Sequence, residues 1–145
     1  MARRWQIEFY ETPDGRAPVE EWLESLSPTK RRAAAAGLEM VLSVDGLAVC
    51  AGPWGKNLGQ GLFEFRLRHS APEIANIRGE RPGSPDRAAA HPEKVVLRFF
   101  CHAHADRVIL LLAAYDKGRD PSPRRQQREI AEARRRLREF KGRGR

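Results

Sequence analysis

Residues 61–69, GLFEFRLRH, alternate strictly, with Phe63, Phe65 and Leu67 on one side and Glu64, Arg66 and Arg68 on the other. A period of two is the mark of a strand with one buried face. The chain opens in the same way, Trp5, Ile7 and Phe9 alternating with Gln6, Glu8 and Tyr10. Two later runs differ. KVVLRFFCH, residues 94–102, is apolar on both faces apart from Arg98, and RVILLLAAY, residues 107–115, is apolar throughout. Strands buried on both sides sit in the middle of a sheet. The short AHAD link between them predicts a hairpin.

Between the first two strands the period changes to that of a helix. After the turn chemistry of TPDGR, residues 17–26 place Val19, Trp22, Leu23 and Leu26 on one face, with Pro18 in the first turn. Ser27 as N-cap and Pro28 at the first helical position restart the pattern. This second helix runs to about Val44, with Leu38, Val41 and Leu42, joined by Ala34 and Ala35, as its stripe, and Gly46 as its stop. The two helices form an antiparallel pair with a very short connection. A last helix starts at Asp120 or Ser122, followed by Pro121 or Pro123, and continues to about Phe140. Its apolar stripe is Ile130, Ala133, Leu137 and Phe140, and arginines cover its other faces.

Two segments show no period. Residues 47–60 contain three glycines and a proline and read as a loop. Residues 70–93 carry four prolines and nearly balanced charge, and read as a mobile insertion. The predicted order is strand, helix, helix, strand, strand, strand, helix. It describes one α+β domain over residues 1–145, with two N-terminal helices and a C-terminal helix on a small, mostly antiparallel sheet.

Charge sharpens this picture. The chain carries a formal net charge of +8, and residues 117–145 hold 12 basic and 4 acidic residues, so the whole excess lies in the C-terminal fifth. Such a surface points to an acidic partner, nucleic acid above all. The two cysteines, Cys50 and Cys101, make no disulfide framework and no CxxC. Neither a signal peptide nor an apolar run of membrane-spanning length stands out, so the expected location is cytoplasmic, with no membrane partner.

The familiar nucleotide, metalloprotease and hydrolase motifs are missing. His102-Ala103-His104 sets two imidazoles on one side of a strand without an evident third ligand, and Cys101 reads as a small buried hydrophobe. What remains is a set of cations on the sheet. Lys56 precedes the strand of Arg66, Arg98 lies in its neighbour, and Tyr115 and Lys117 end the last strand. Arg98 has two readings. It is either half of a structural ion pair, with Glu64 as partner, or part of an anion site in which several guanidiniums converge on a phosphate.

Four pieces then carry a resemblance: the aromatic strand and Pro-Val-x-x-Trp-Leu helix of residues 9–26; KNLGQGLFEFR, residues 56–66; VVLRFF, residues 95–100; and VILLLAAYDKGRDPSPRRQQREIAEARRRL, residues 108–137. Together they resemble the RelE/ParE toxin superfamily, most closely its HigB-like, phage-derived branch. The resemblance implies a RelE-like fold and a toxin of a type II toxin–antitoxin system, an endoribonuclease that cuts mRNA on the ribosome without metal or other cofactor. It implies as partners the ribosome, mRNA and an antitoxin of the helix-turn-helix kind. Carried over by position, Arg66 and Arg98 hold the scissile phosphate, Lys56 binds backbone phosphate or stabilises charge, and Tyr115 or Lys117 assists proton transfer, given a lowered pKa. Arg68, on the same strand face but with no fixed role in the family pattern, and Asp116 are read as substrate-binding, as are Arg134 and Arg135 of the arginine-rich final helix, whose charge is either a solvated face or a contact with ribosomal RNA phosphates. Asp116-Lys117-Gly118 stands where many relatives have two lysines, and Tyr115 where a phenylalanine is common. Asp116 is either a further acid–base group or the ion-pair partner of Lys117 or Arg119. Two readings compete: a ParE-like inhibitor of DNA gyrase, and a catalytically silent RNA-binding module of the same fold.

Overall fold

A computed structural model describes residues 3–78 and 93–143. The chain is an α+β domain built on a mixed five-stranded sheet. In chain order the strands are β1 (Gln6–Phe9), β2 (Gly55–Gly59), β3 (Leu62–Leu67), β4 (Leu97–His104) and β5 (Val108–Asp116). Their spatial order is β1-β5-β4-β3-β2. β1 runs parallel to β5, and the other three pairs are antiparallel. β4 and β5 are thus central, as their two-sided apolar pattern requires.

The helices divide between the two faces. α1 (Pro18–Ser25) and α2 (Pro28–Gly37) lie on one. Ser27 caps α2, its Oγ accepting from the Lys30 amide at 3.3 Å. α2 continues through a π-helical turn, Leu38–Leu42, into α3 (Ser43–Asp45) and a 3₁₀ turn, Gly46–Ala51. The helical course changes at Gly46, whose φ of +57° is in the left-handed region. A Cβ there would meet the Trp5 indole at 2.1 Å. The helical run Pro28–Ala51 is 24 residues, long and apolar enough by composition to cross a membrane, a length the sequence reading did not anticipate. Here it packs Ala33, Ala34, Leu38, Val41, Leu42 and Val49 against Phe63, Phe65, Leu67, Phe99 and Leu111 of the sheet. Ala33, not the exposed Ala35, joins Ala34 in that stripe. Phe65 and Phe99 are fully buried, each contributing about 1.5–3 kcal/mol.

Two expected irregular segments are ordered elements. Inside residues 47–60 lies β2, whose Gly55, Lys56 and Asn57 pair with Phe65, Glu64 and Phe63. An edge strand of glycine, lysine and asparagine has no apolar alternation to reveal it. Gly55 is required by packing, since a Cβ there would lie 2.9 Å from the Glu64 carbonyl oxygen. Inside residues 70–93 lies α4 (Ala71–Arg78), which buries Ile74 completely. It begins with a capping box: the Glu73 carboxylate accepts from the Ser70 amide at 2.7 Å, and Ser70 Oγ from the Glu73 amide at 3.4 Å. The mobile-insertion reading therefore fails for residues 70–78, and its remainder, residues 79–92, lies outside the described residues.

Among the described residues, α5 (Pro123–Arg143) is the helix that covers the other face. Ser122 caps it, Oγ accepting from the Arg125 amide at 3.2 Å. Ala133 and Leu137, flanked by Ile130 and Phe140, pack on Leu62, Phe100, Leu110, Leu112, Ala113 and Tyr115. Tyr10, the residue after β1, lies in this second core, and its hydroxyl donates to Glu139 of α5 at 2.6 Å.

A bulge in β5 decides what faces α5. Cys101 pairs with Leu111 and Phe100 with Ala113, so Leu112 is the extra residue. Leu112 and Ala113 both turn toward α5, and the parity of every later residue is reversed. Tyr115 therefore shares a face with Arg98, its direct partner. Asp116 is sent to the opposite face.

Candidate functional site

The candidate site lies on the α5 side of the sheet. β3, β4 and β5 place Arg66, Arg98 and Tyr115 in one row, each residue paired directly with the next. One row away, Lys56 pairs with Glu64, and Glu64 with Phe100. Directly paired residues project from the same face, so strand register alone gathers these groups. The Phe100 and Tyr115 rings lie nearly parallel, 6.2 Å between centres.

Glu64 is the hinge of the cluster. It is fully buried, and its carboxylate divides between two guanidiniums. Arg66 Nε donates to Oε1 at 3.1 Å, and Arg98 Nε sits 3.2 Å from Oε2, too far off line for a hydrogen bond. Arg98 Nη1 also reaches the Leu97 carbonyl, at 3.4 Å. The side chain of Arg98 is 4% exposed and that of Arg66 26%, so only Arg66 meets solvent substantially. Both readings of Arg98 therefore hold at once: it is ion-paired to Glu64, and it stands beside a second, more open guanidinium.

The remaining contacts converge on α5. Gln126 Nε2 donates to Glu64 Oε2 at 3.4 Å, and Gln126 Oε1 accepts from the Tyr115 hydroxyl and from Lys117 Nζ, each at 3.1 Å. The Arg125 guanidinium stands over the Tyr115 ring, 5.2 Å from its centre. Gln126 carries no alternation, motif or charge in the sequence that marks it. Its one signal is its place in the first turn after the Ser122 cap, directly opposite the end of β5.

Charge is unbalanced here. Arg66, Arg98 and Lys117 face one carboxylate, Glu64. Burial lowers the pKa of Arg98, Glu64 opposes that, and Arg68 and Arg66 add to it. Lys117 is lowered in the same way, first by desolvation and then by Arg98, with Glu64 opposing. Tyr115 moves the other way: desolvation raises its pKa, and Arg98 only partly offsets that. The two proton-transfer candidates thus separate. Lys117 is the group brought toward neutrality, while Tyr115 is held as a protonated hydroxyl, so of the two only Lys117 has the lowered pKa that a general base needs.

The other expected site residues fall elsewhere or at the margin. Lys56 and Arg68 are exposed beside the cluster. Asp116 is buried on the opposite face, where it accepts from Lys30 Nζ of α2 at 2.7 Å, so it pairs with neither Lys117 nor Arg119. Arg134 donates to the carbonyls of Leu58 and Gly59 at 2.9 and 3.2 Å, fastening α5 to the β2–β3 hairpin. Arg135 is exposed on the outer side of α5 and paired with Glu132. His102 Nδ1 contacts the Gly61 carbonyl at 2.7 Å, and among the described residues no group of three or more His, Cys, Asp or Glu is placed to hold a metal ion. Cys101 is fully buried.

A scan against protein-family models gives no match, and neither does a search of curated proteins.

Proposed function

We propose that the chain has a RelE-like fold and is the toxin of a type II toxin–antitoxin system, of the RelE/HigB kind: an endoribonuclease that cuts mRNA on the translating ribosome. The observation that supports this most is the row of Arg66, Arg98 and Tyr115 across three strands, with Lys117 joined to it through Gln126. It is a net-positive cluster in which two guanidiniums converge, Arg66 open to solvent and Arg98 buried behind it, the arrangement a phosphodiester needs.

In this reading the 2′-hydroxyl of the substrate attacks the neighbouring phosphorus and the 5′-oxygen leaves. The phosphorane gains negative charge, which Arg66 meets directly and Arg98 supports from below. Lys117, whose pKa is lowered, accepts the 2′-hydroxyl proton. Tyr115, fully buried and held protonated, donates to the departing 5′-oxygen when substrate takes the place of Gln126 at its hydroxyl. Lys56 and Arg68, exposed at the margin, contact flanking backbone phosphates. The same reading makes the protein cytoplasmic, with a helix-turn-helix antitoxin as its partner.

The test is to add purified protein to a translating extract and map mRNA ends. Position-specific cuts in translated message are expected, and Arg66→Ala or Arg98→Ala should lower cutting by about 100- to 1,000-fold, the usual effect of deleting one charge-stabilising donor. Intact message together with relaxed DNA accumulating in a gyrase supercoiling assay would favour the ParE-like reading instead. The absence of both effects would leave the silent RNA-binding module.

A further inference from the structure

We infer that Gln126 is the positioning residue of this site: one amide fixes the Tyr115 hydroxyl and the Lys117 ammonium relative to each other and ties both to the Glu64 carboxylate between the two arginines. The inference rests on the RNA-cleaving reading above.

The amide's orientation follows from its partners. Its carbonyl oxygen faces two donors, Tyr115 and Lys117, both at 3.1 Å, and its NH₂ faces a carboxylate at 3.4 Å. The flipped amide would set NH₂ against an ammonium and a hydroxyl hydrogen, and oxygen against oxygen, so one orientation satisfies every group. The turn carrying Gln126 is itself held. The Gln126 amide donates to the Ser122 carbonyl at 3.3 Å. Ser122 in turn donates from its amide and hydroxyl to Asp120, at 3.2 and 2.8 Å, and Arg125 pairs with Asp120 and Glu129 at 3.5 and 2.9 Å.

Why glutamine suits this position follows from charge. Lys117 is faced by Arg98 from β4, by Glu64 and Arg66 from β3, by Arg68 beyond β3, and by Gln126 from α5. A neutral acceptor orients the amine without restoring the attraction that a carboxylate would supply. A glutamate there would hold the amine equally well, but would favour its charged form and stand against Glu64. A neutral amine keeps two N–H donors and a lone pair. One donor goes to Gln126, which leaves the lone pair free to take the 2′-hydroxyl proton. The Tyr115 proton rests on Gln126 until a developing oxyanion, a stronger acceptor, arrives.

Two variants of the full chain test this, Gln126→Leu and Gln126→Glu. Cleavage of message on programmed ribosomes is followed across pH and protein concentration. In parallel, ¹³Cζ-tyrosine NMR reports on the chain's two tyrosines separately. Gln126→Leu should slow the saturated rate by about 10- to 100-fold, the scale of a misplaced catalytic group, with the half-saturating concentration unchanged. The Tyr115 resonance should move and that of Tyr10 should stay. Gln126→Glu should recover part of the rate, with its rise toward high pH displaced upward. If both variants match wild type in rate and pH profile, or if the Tyr115 resonance is unmoved in Gln126→Leu, the assignment is overturned. If the wild-type protein cuts no message, the functional reading fails on its own, and the NMR comparison alone decides whether Gln126 positions Tyr115.

Discussion

Replacing Glu64 by glutamine keeps its shape and removes the negative charge between Arg66 and Arg98. The two resulting losses differ in size. Arg98 is 4% exposed, and Glu64 is its ion-pair partner. Stranding a buried charge in this way costs about 3–5 kcal/mol. Arg66 is 26% exposed, so water screens its share to less than about 1 kcal/mol. The glutamine carbonyl still accepts from one guanidinium, which brings the total to about 3 kcal/mol. With a urea m-value of roughly 1–3 kcal/mol per molar, the unfolding midpoint should fall by about 1–3 M. Tryptophan fluorescence suits the measurement, because Trp22 packs on Phe99 and Trp54 on Phe65, at 5.8 and 6.3 Å between ring centres. Arg98→Met should also destabilise, by leaving Glu64 to Arg66 alone. The double variant removes both charges and should be more stable than the sum of the single losses predicts, by about 2–3 kcal/mol. A Glu64→Gln midpoint within about 0.3 M of wild type would refute this account of the cluster. So would strict additivity in the cycle.

Lys117→Arg preserves the charge and the donor to Gln126 but removes a titratable amine, since arginine stays protonated. Because burial and Arg98 lower the pKa of Lys117, the neutral amine appears at lower pH than in a free lysine, and the wild-type cleavage rate should rise with pH through that range. The variant should lose about 100- to 10,000-fold at pH 8 together with this rise, whereas a purely electrostatic lysine would leave the rate nearly intact. Ile74→Ala, in α4, should cost about 2–5 kcal/mol in chemical denaturation, because Ile74 is fully buried; a change below about 0.5 kcal/mol would mean that α4 contributes little to the core.

Each element with a clean period was legible in the residues. β1 and α5 are half-buried and alternate or repeat accordingly, β3 alternates although α5 covers its polar face as well, and β4 and β5 announce their central position by lacking a polar face. β2 escapes the same reasoning because it is held by backbone pairing at the sheet edge, which leaves no mark on side-chain polarity. α4 was signalled by Ser70-x-x-Glu73, a capping box obscured by the prolines around it. At the site, Arg66 and Arg98 stood out as charges in apolar strands, and the register brings them together. Gln126 did not, since a neutral side chain on an arginine-rich helix has no contrast with its surroundings. Asp116 was carried to the site by the family pattern, and neither that pattern nor alternation carries a warning of the bulge at Leu112 that turns it to the opposite face.

That reset at Leu112 makes the identity of the site a matter of counting. Removing Leu112 would only make the ladder regular, with Tyr115 still beside Arg98 and Asp116 still beside Leu97. A β5 of unchanged length paired regularly from Val108 onward would instead set Ala114 beside Arg98 and turn Asp116 toward α5, taking the hydroxyl out of the row and the carboxylate away from Lys30. The extra residue acts as a phase shifter between two halves of one strand: the site can lose Leu112 itself, but not the offset that Leu112 introduces.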